Sequence, residues 1–334
     1  MIAAIRKARR LEGDVMLPGD KSISHRALIL GAIASGESRF RGLSSGADVR
    51  STAHCVRALG VEHGIDYVMP VASAQVKSAL LLAGLFADGR TTVVEPVATR
   101  NHTELMLEEM GASVGADGRH VRVSPAERLS PLDIEIPGDL SAASFWLVAA
   151  GLVSKSRLRI RNAGINPTRM KFIELLRGIG IGVTVEGARK AGGEPVGDLA
   201  VGTAPNLRPL TINGAIAAET IDELPVFAVA ATQLPGTSRI TGAGELRVKE
   251  SNRIAAMAEG LAAMGADIAA LDDGWVITGP RHLEGARVRS HRDHRVAMAL
   301  AVAGLLADGT TEIDDAECVD ISYPGFFDQL ESLC

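Results

Sequence analysis

The chain has 334 residues, a hydrophobic fraction of 46%, an aromatic fraction of 3% and a formal net charge of −5. The length favours two domains, because a single core becomes inefficient at this size. The low aromatic content and the acidic balance argue against nucleic acid as a partner, since binding to a phosphate backbone normally requires a basic excess.

Membrane and secretory signals are not expected from the sequence. The longest strongly apolar run, residues 296–307, is shorter than the roughly 18 residues of a membrane helix. The charges near the N-terminus follow a very short apolar stretch, which is the wrong order for a secretory signal. Cys55, Cys318 and Cys334 lie far apart without metal-type spacing. We therefore expect a cytoplasmic protein with neither a disulfide framework nor a zinc site.

A unit made of an apolar helix, a small-residue turn and a strand recurs along the chain. It begins in the stretches HRALILGAIASGESRF, SALLLAGLFADGRTTVV, FWLVAAGLVSKSRLRI, FAVAATQLPGTSRIT and AMALAVAGLLADGTTEI. A second helix closes on Gly60, Gly111, Gly180 and Gly265, each of which fits a left-handed helix cap. The pattern predicts α/β units with helices inside and strands outside, repeated around each of two domains.

The spacing of these units is irregular near the start of the chain. Gly60 to Gly111 is an interval of 51 residues, against 69 from Gly111 to Gly180 and 85 from Gly180 to Gly265. Only 15 residues separate Gly60 from Gln75. We infer that strands are missing there.

The first motif, LPGDKSISHRALILGAI, covers residues 17–33. Either Asp20 or Ser22 can cap a helix that starts near Ile23. Lys21 and Arg26 lie beside the free N–H groups of the same helix start, where they favour a phosphate or carboxylate. We interpret this stretch as an anion site, with a plain helix cap as the alternative.

Two further helix starts follow in PVASAQVKSALLL and VATRNHTELML. In the first, Ser73 and Gln75 offer a hydroxyl and an amide to a polyol or a phosphate, although such residues are usually caps. In the second, Thr99, Arg100, Asn101 and His102 precede a helix for which Thr103 is a possible cap. A solvated turn is slightly favoured for this second stretch.

Carboxylates mark the next helix start, AETIDELPVFAVAA, where Asp222 and Glu223 precede a buried helix. A carboxylate in that position must be hydrogen-bonded or have its pKa raised, so a general base is plausible. In GELRVKESNRIAAMAEGL, Lys249, Glu250 and Arg253 fall within a single turn of a helix start, after Arg247. The alternative for this stretch is a surface ion-pair ladder.

The last motif, RSHRDHRVAMAL, precedes the most apolar helix. Its polar residues are His291, Arg292, Asp293, His294 and Arg295. The arginines repel a cation, so an anion site is favoured over a metal site. Several such helix starts converging on one cleft would concentrate positive potential on a multiply anionic substrate.

The stretches LPGDKSISHRALIL, PVASAQVKSALLLAGL, RVKESNR and DHRVAMA occur in this order. Together they resemble the 5-enolpyruvylshikimate-3-phosphate (EPSP) synthase family over essentially the whole chain, apart from the junction near His63. The resemblance implies a two-domain inside-out α/β barrel of six βαβαββ units, of which five are recognisable here. It implies a first domain of residues 1–18 plus 138–334 and a second domain of residues 19–137, truncated near residues 62–65.

The resemblance also implies the reaction. The carboxyvinyl group of phosphoenolpyruvate is transferred to the 5-hydroxyl of shikimate 3-phosphate, which gives 5-enolpyruvylshikimate 3-phosphate and phosphate on the shikimate pathway to chorismate and the aromatic amino acids. No metal or organic cofactor is implied. The implied partners are these two small molecules, with neither nucleic acid nor membrane, and a monomer is expected. The family is the target of glyphosate.

Roles are carried over position by position. The resemblance assigns shikimate 3-phosphate binding to Lys21, Ser22, Arg26, Ser73, Ala74, Gln75, Thr99, Asp222 and Lys249. It assigns phosphoenolpyruvate binding to Lys21, Gln75, Arg253, His294 and Arg295. It implies that Asp222 takes the proton of the attacking hydroxyl, while Glu250 and Lys21 shuttle the proton that makes and then unmakes a methyl group. Ala74 stands where some relatives have Ser, and Thr99 keeps the hydroxyl of a family Ser.

Two departures from the family pattern are visible. The second repeat, with an Asn-Ser-Gly-Thr-Thr-Met-Arg-like loop and a further arginine for phosphoenolpyruvate, is absent between Glu62 and Ile65. Ile321 stands where some relatives place a Lys. The alternatives are therefore a binder of shikimate 3-phosphate with lost or impaired catalysis, a sequence from which a segment of the protein is missing, or a carboxyvinyltransferase acting on UDP-N-acetylglucosamine.

Overall fold

The computed structural model describes residues 1–34, 37–41 and 63–334. Its α-helices are α1 (Lys21–Ile33), α2 (Ala74–Gly84), α3 (His102–Glu109), α4 (Leu140–Leu152), α5 (Lys171–Gly178), α6 (Gly214–Glu219), α7 (Leu224–Ala231), α8 (Arg253–Ala263), α9 (His294–Leu306) and α10 (Phe326–Leu333). Short 3-10 helices cover Pro167–Arg169, Gly244–Val248 and Ala316–Ile321. None of the helices in these ranges combines the length and the apolar character that crossing a bilayer requires.

The strands form several small mixed sheets. They are β1 (Ala3–Arg6), β2 (Glu12–Met16), β3 (Arg39–Arg41), β4 (Asp66–Val68), β5 (Thr91–Val94), β6 (Val114–Asp117), β7 (His120–Val123), β8 (Asp133–Glu135), β9 (Arg157–Gly164), β10 (Val183–Ala191), β11 (Glu194–Gly202), β12 (Thr211–Ile212), β13 (Gly236–Ile240), β14 (Asp267–Leu271), β15 (Gly274–Gly279), β16 (Arg287–Arg289) and β17 (Thr310–Asp314). The strand orders are β1-β17-β16, β10-β11-β9-β2, β12-β13-β15-β14, β3-β8 and β4-β5-β7-β6.

The centre of the larger core is made of helices. Helices α4, α7 and α9 contact one another, and each is apolar on nearly all sides. A helix that is hydrophobic all round must be buried, so the strands lie outside it. This arrangement confirms the predicted inside-out α/β fold class.

The buried apolar residues fall into two clusters. The larger cluster draws on residues 3–15 and 140–333, and the smaller one on residues 23–136. These ranges support the division into residues 1–18 plus 138–334 and residues 19–137, which we keep as a proposal.

Two Pro-Gly-Asp turns lie side by side where the chain passes between the clusters. Gly19 and Gly138 form an antiparallel bridge. The amide of Asp20 donates to the carbonyl of Pro137 at 2.7 Å, and the amide of Asp139 donates to the carbonyl of Pro18 at 2.9 Å. Because Asp20 caps α1 and Asp139 caps α4, the paired turns also fix the starts of both helices.

Three of the four glycines predicted to close helices lie in the described residues. Gly111, Gly180 and Gly265 have φ angles of +85°, +100° and +87°, which confirms the left-handed cap at these positions. Gly60 lies outside the described residues. After the junction, β4 pairs in parallel with β5 at the edge of its sheet.

Candidate active site

Asp222 lies directly before Glu223 and the start of α7 and faces several cations. Its carboxylate is 3.4 Å from the guanidinium of Arg100, 3.8 Å from that of Arg253 and 3.8 Å from that of Arg295. Burial acts to raise the pKa of Asp222, but the charges of Arg295 and Arg100 hold that pKa well below its usual range. Asp222 is therefore an ionised carboxylate paired with cations. Of the two states expected at this position, a bonded carboxylate and one with a raised pKa, the structure has the first.

Arg253 joins the starts of two helices. Its side chain is 1% exposed and donates from Nε to Asp293 at 2.8 Å and from a terminal nitrogen to Glu250 at 2.6 Å. Asp293 in turn caps α9 by accepting from the amides of Arg295 at 2.9 Å and Val296 at 3.4 Å. A buried guanidinium held in this way is not part of a surface ion-pair ladder.

The ladder interpretation fits only the preceding residues. Lys249 pairs with Glu245 four residues earlier, although its charge also acts on Asp222. Asn252 caps α8, which begins at Arg253, so Lys249 and Glu250 lie just before the helix and within one turn of its start. The side chain of Glu250 remains 49% exposed at the rim.

His294 and Arg295 begin α9 beside Asp222. Arg295 donates to the backbone carbonyl of Asp222 at 2.9 Å. His294 is buried, and its Nδ1 has no hydrogen-bond partner. Burial, followed by the charge of Arg295, lowers the pKa of His294 to about 3, and the charge of Lys21 acts in the same direction. The imidazole is therefore neutral at neutral pH, and Lys21 lies within electrostatic range of it.

The first motif supplies Lys21 and Ser22 at the start of α1. The helix begins earlier than the expected Ile23, because Asp20 rather than Ser22 caps it and accepts from the amide of Ile23 at 2.9 Å. Arg100 reaches both Asp222 and the hydroxyl of Ser22, the latter at 3.5 Å. Arg100 therefore links the first motif to the carboxylate of the other core.

Arg26 is buried and joins three helices. Its guanidinium donates to Thr103 Oγ1 at 2.6 Å, to Ser78 Oγ at 3.0 Å and to the carbonyl of Ser22 at 2.9 Å. Thr103 therefore binds Arg26, and the suggestion that it caps a helix is wrong, since α3 begins at His102 without a side-chain cap bond. These contacts hold the helix starts of the smaller core together.

The remaining predicted residues lie at the start of α2 and before α3. Ser73 caps α2 and accepts from the amide of Val76 at 3.3 Å, while the carbonyl of Ala74 accepts from Ser78. Gln75 is exposed. Thr99 donates through its amide, at 3.2 Å, and its hydroxyl to the buried Glu95. Ala74 is thus joined to Arg26 through Ser78, whereas no side-chain contact links Gln75 to the Asp222 group among the described residues.

Two arginines of the site were missed as candidates. Arg100 stands in a stretch that favours a solvated turn, and none of the motifs contains Arg169. Arg169 lies close to the carboxylates of Asp20, Asp139 and Glu223. The one available signal was the second Pro-Gly-Asp turn at residues 137–139, which repeats the turn at residues 18–20. In the described ranges no group of three or more His, Cys, Asp or Glu side chains could hold a metal ion.

Comparison with known proteins gives a consistent family. A family model described as EPSP synthase (3-phosphoshikimate 1-carboxyvinyltransferase) matches residues 5–66 and 62–330. The 3-phosphoshikimate 1-carboxyvinyltransferase of Gloeobacter violaceus is 41% identical over 422 residues, covering 98% of each chain. That of Desulforudis audaxviator is 39% identical over 427 residues, covering 100% of this chain and 99% of the other.

Solved structures agree. An EPSP synthase from Acinetobacter baumannii has a TM-score of 0.91 at 30% identity and covers 99% of this chain and 98% of its own. The enolpyruvyl transferase NikO from Streptomyces tendae has a TM-score of 0.78 at 19% identity and shares the fold.

The alignments also locate the irregular junction. The first alignment has 422 positions and the chain has 334 residues, so at least 88 positions (422 − 334) are filled by the relative alone. The two family matches meet at residues 62–66, where the repeat spacing is short. The two matched parts together include every helix start described above. The chain therefore belongs to the EPSP synthase family.

Proposed function

We propose that the chain transfers the carboxyvinyl group of phosphoenolpyruvate to the 5-hydroxyl of shikimate 3-phosphate, the reaction for which its family is named. The observation that carries the proposal is the convergence of Arg253 and Arg295 on Asp222, at a point to which Lys21 adds charge. Both substrates are anions, and an excess of cations around one carboxylate suits them. The family assignment favours this acceptor over UDP-N-acetylglucosamine.

Binding of shikimate 3-phosphate is proposed for one group of residues. This group consists of Lys21, Ser22, Arg26, Ser73, Ala74, Gln75, Thr99, Asp222 and Lys249. Lys21 and Ser22 are supported by their place at the N-terminus of the 13-residue α1, where the helix dipole and a cation favour a phosphate. The guanidinium of Arg26 is already engaged by three oxygens, so it acts by charge and by holding the carbonyl of Ser22.

Asp222 is proposed to take the proton of the attacking hydroxyl. Its low pKa makes it a weak base, so it first accepts a hydrogen bond from the hydroxyl and orients it. As the new C–O bond forms, the hydroxyl oxygen gains positive charge and becomes strongly acidic. The proton then moves to Asp222 during the attack.

The part of the site that binds phosphoenolpyruvate is proposed to lie at the starts of α8 and α9. Arg253 and Arg295, with Lys21, His294 and Gln75, bind its phosphate and carboxylate. Glu250 and Lys21 deliver a proton to the methylene carbon as the acceptor oxygen attacks the adjacent carbon, which gives a tetrahedral intermediate. Loss of phosphate, together with transfer of one methyl proton back to Glu250 and Lys21, regenerates the double bond.

The direct test is release of inorganic phosphate from a mixture of both substrates. Turnover that depends on shikimate 3-phosphate supports the proposal. Silence from a folded sample at high enzyme concentration rejects catalysis by this chain.

A second candidate is favoured by one specific observation, the 88 or more aligned positions that only the relative fills. In the family the corresponding repeat carries an arginine for phosphoenolpyruvate, so a chain without it would bind shikimate 3-phosphate and turn over poorly. Calorimetry with each ligand separates the candidates, because a pure binder responds to shikimate 3-phosphate alone. A cytoplasmic monomer remains our expectation for either one.

A further inference from the structure

Arg169 lies at the point where the chain passes between the two cores. Its side chain is 8% exposed. The guanidinium is 3.9 Å from Asp20, 3.8 Å from Asp139 and 3.7 Å from Glu223, and it also donates to the hydroxyl of Ser141. A planar guanidinium with five donors can face several carboxylates at once, which a lysine ammonium cannot do with the same geometry.

Each of these carboxylates is attached to a part of the candidate site. Asp20 caps α1 and is followed by Lys21. Glu223 follows Asp222 and precedes α7. Asp139 caps α4 and belongs to the Pro-Gly-Asp turn whose amide and carbonyl bond to the turn of Asp20. Arg169 therefore touches the backbone segments that carry Lys21 and Asp222 from opposite cores.

The charges explain why one cation is needed here. Asp20 and Asp139 lie 3.9 Å and 3.8 Å from the same guanidinium, and burial, followed by the negative charge of Asp20, raises the pKa of Asp139. For Asp20, burial is outweighed by the charges of His102 and Arg169, so its pKa is lowered. Loss of Arg169 would leave buried like charges at the crossing, and separating them would move the two turns apart.

We propose that Arg169 is a positioning residue, which fixes the Lys21–Ser22 turn of one core relative to Asp222 of the other by binding Asp20, Asp139 and Glu223. The proposal rests on the proposed function, because it assigns these residues to one bound shikimate 3-phosphate. Arg169 itself is not proposed to touch the substrate.

The test is calorimetric binding of shikimate 3-phosphate to the full chain. We expect Arg169→Gln to weaken binding by roughly tenfold or more, since misplacing one binding element is costly. Arg169→Lys should fall between Arg169→Gln and the wild type. Asp139→Asn combined with Arg169→Gln should restore part of the affinity, because it removes one of the repelling charges while keeping a capping oxygen.

The matched control is Arg161→Gln, which removes an arginine that binds Asp14 and Asp198 on the outer sheet. It should change the affinity by less than about twofold. The proposal is overturned if a folded Arg169→Gln protein binds shikimate 3-phosphate as tightly as the wild type. It is also overturned if Arg169→Gln loses no more affinity than Arg161→Gln does. If Arg169→Gln does not fold, Arg169→Lys decides, and unchanged affinity overturns it. A wild-type protein that binds no shikimate 3-phosphate overturns the proposed function, and this role with it.

Discussion

The charged side chains around Asp222 determine what the candidate site can bind. Asp222 is one carboxylate facing three arginines, and Arg253 is in turn bound by Asp293 and Glu250. Pairing keeps each buried charge satisfied while leaving positive potential for an anion. The same surroundings keep His294 neutral.

Replacing Asp222 tests the proton transfer. We expect Asp222→Asn to lower kcat by about 10²–10⁴-fold, because the amide cannot accept the proton of the hydroxyl. Binding of shikimate 3-phosphate should persist, since the amide keeps an oxygen in the same place. Phosphate release and calorimetry measure the two effects. Asp267→Asn, which alters an exposed carboxylate beside Arg281, is the control and should change neither. Wild-type turnover in Asp222→Asn would contradict the assignment.

The lowered pKa of His294 predicts how the free energy of unfolding depends on pH. Its pKa is lowered from 6.5 to about 3 in the folded protein. Below pH 6.5 the unfolded chain therefore binds a proton that the native state does not, and stability falls as pH decreases, by up to about 1.4 kcal/mol per pH unit for this group. His294→Gln should show a shallower decline in urea unfolding between pH 7 and pH 4. His282→Gln, at an exposed histidine, is the control. Equal slopes for wild type and His294→Gln would refute the prediction.

At the scale of elements, helix ends carry most of the site. Asp20, Asp139 and Asp293 cap α1, α4 and α9, and residues just after them contact Arg100, Arg169 and Asp222 respectively. A different set of helices, α3, α5 and α8, closes on Gly111, Gly180 and Gly265, which allow the chain to turn back into a strand. Aspartate caps thus mark the starts of three long helices, and glycines mark the ends of three others.

The glycine ends differ in the space around them. A Cβ at Gly180 would lie 2.1 Å from the carbonyl oxygen of Asn206, whereas at Gly265 the nearest atom would be 3.6 Å away, on His282. Both positions have positive φ, so alanine strains the backbone by about 1 kcal/mol or more at each. We expect Gly180→Ala to lower the free energy of unfolding clearly more than Gly265→Ala. Chemical denaturation measures this, and equal losses would show that the clash is relieved.

Local signals predicted the elements better than the contacts between them. Asp20 and Pro18-Gly19 mark a helix start within a few residues, and the apolar helices are evident from their composition. Arg100 lies 122 residues from Asp222, and Arg169 stands in a short turn, so neither has a neighbour in the sequence that shows its partner. The sequence predicts a helix start within one turn of Lys249 and Glu250, and the structure places it at Arg253, directly after Asn252.

At the scale of the whole molecule, the irregular junction predicts unequal binding of the two substrates. Inserting the corresponding segment of the Gloeobacter violaceus protein after Glu62, a position outside the described residues, should restore the second repeat. We expect the chimera to bind phosphoenolpyruvate more tightly and to release phosphate faster, because the resemblance places an arginine for this substrate in that repeat. Calorimetry and phosphate release measure this.

The matched control carries a Gly/Ser linker of the same length at the same position, and it should show neither gain. A chimera that folds but binds phosphoenolpyruvate no better than the linker control would contradict this explanation of the junction.

The side-by-side Pro-Gly-Asp turns also make the smaller core an insertion whose two ends are neighbours in space. The chain leaves the larger core beside Gly19 and re-enters it beside Gly138, two residues that are bridged to each other. A repeat can therefore be removed or added between Gly19 and Gly138 without changing how the chain runs through the larger core. Excising residues 20–137 across a short linker is therefore the natural route to an autonomous larger lobe.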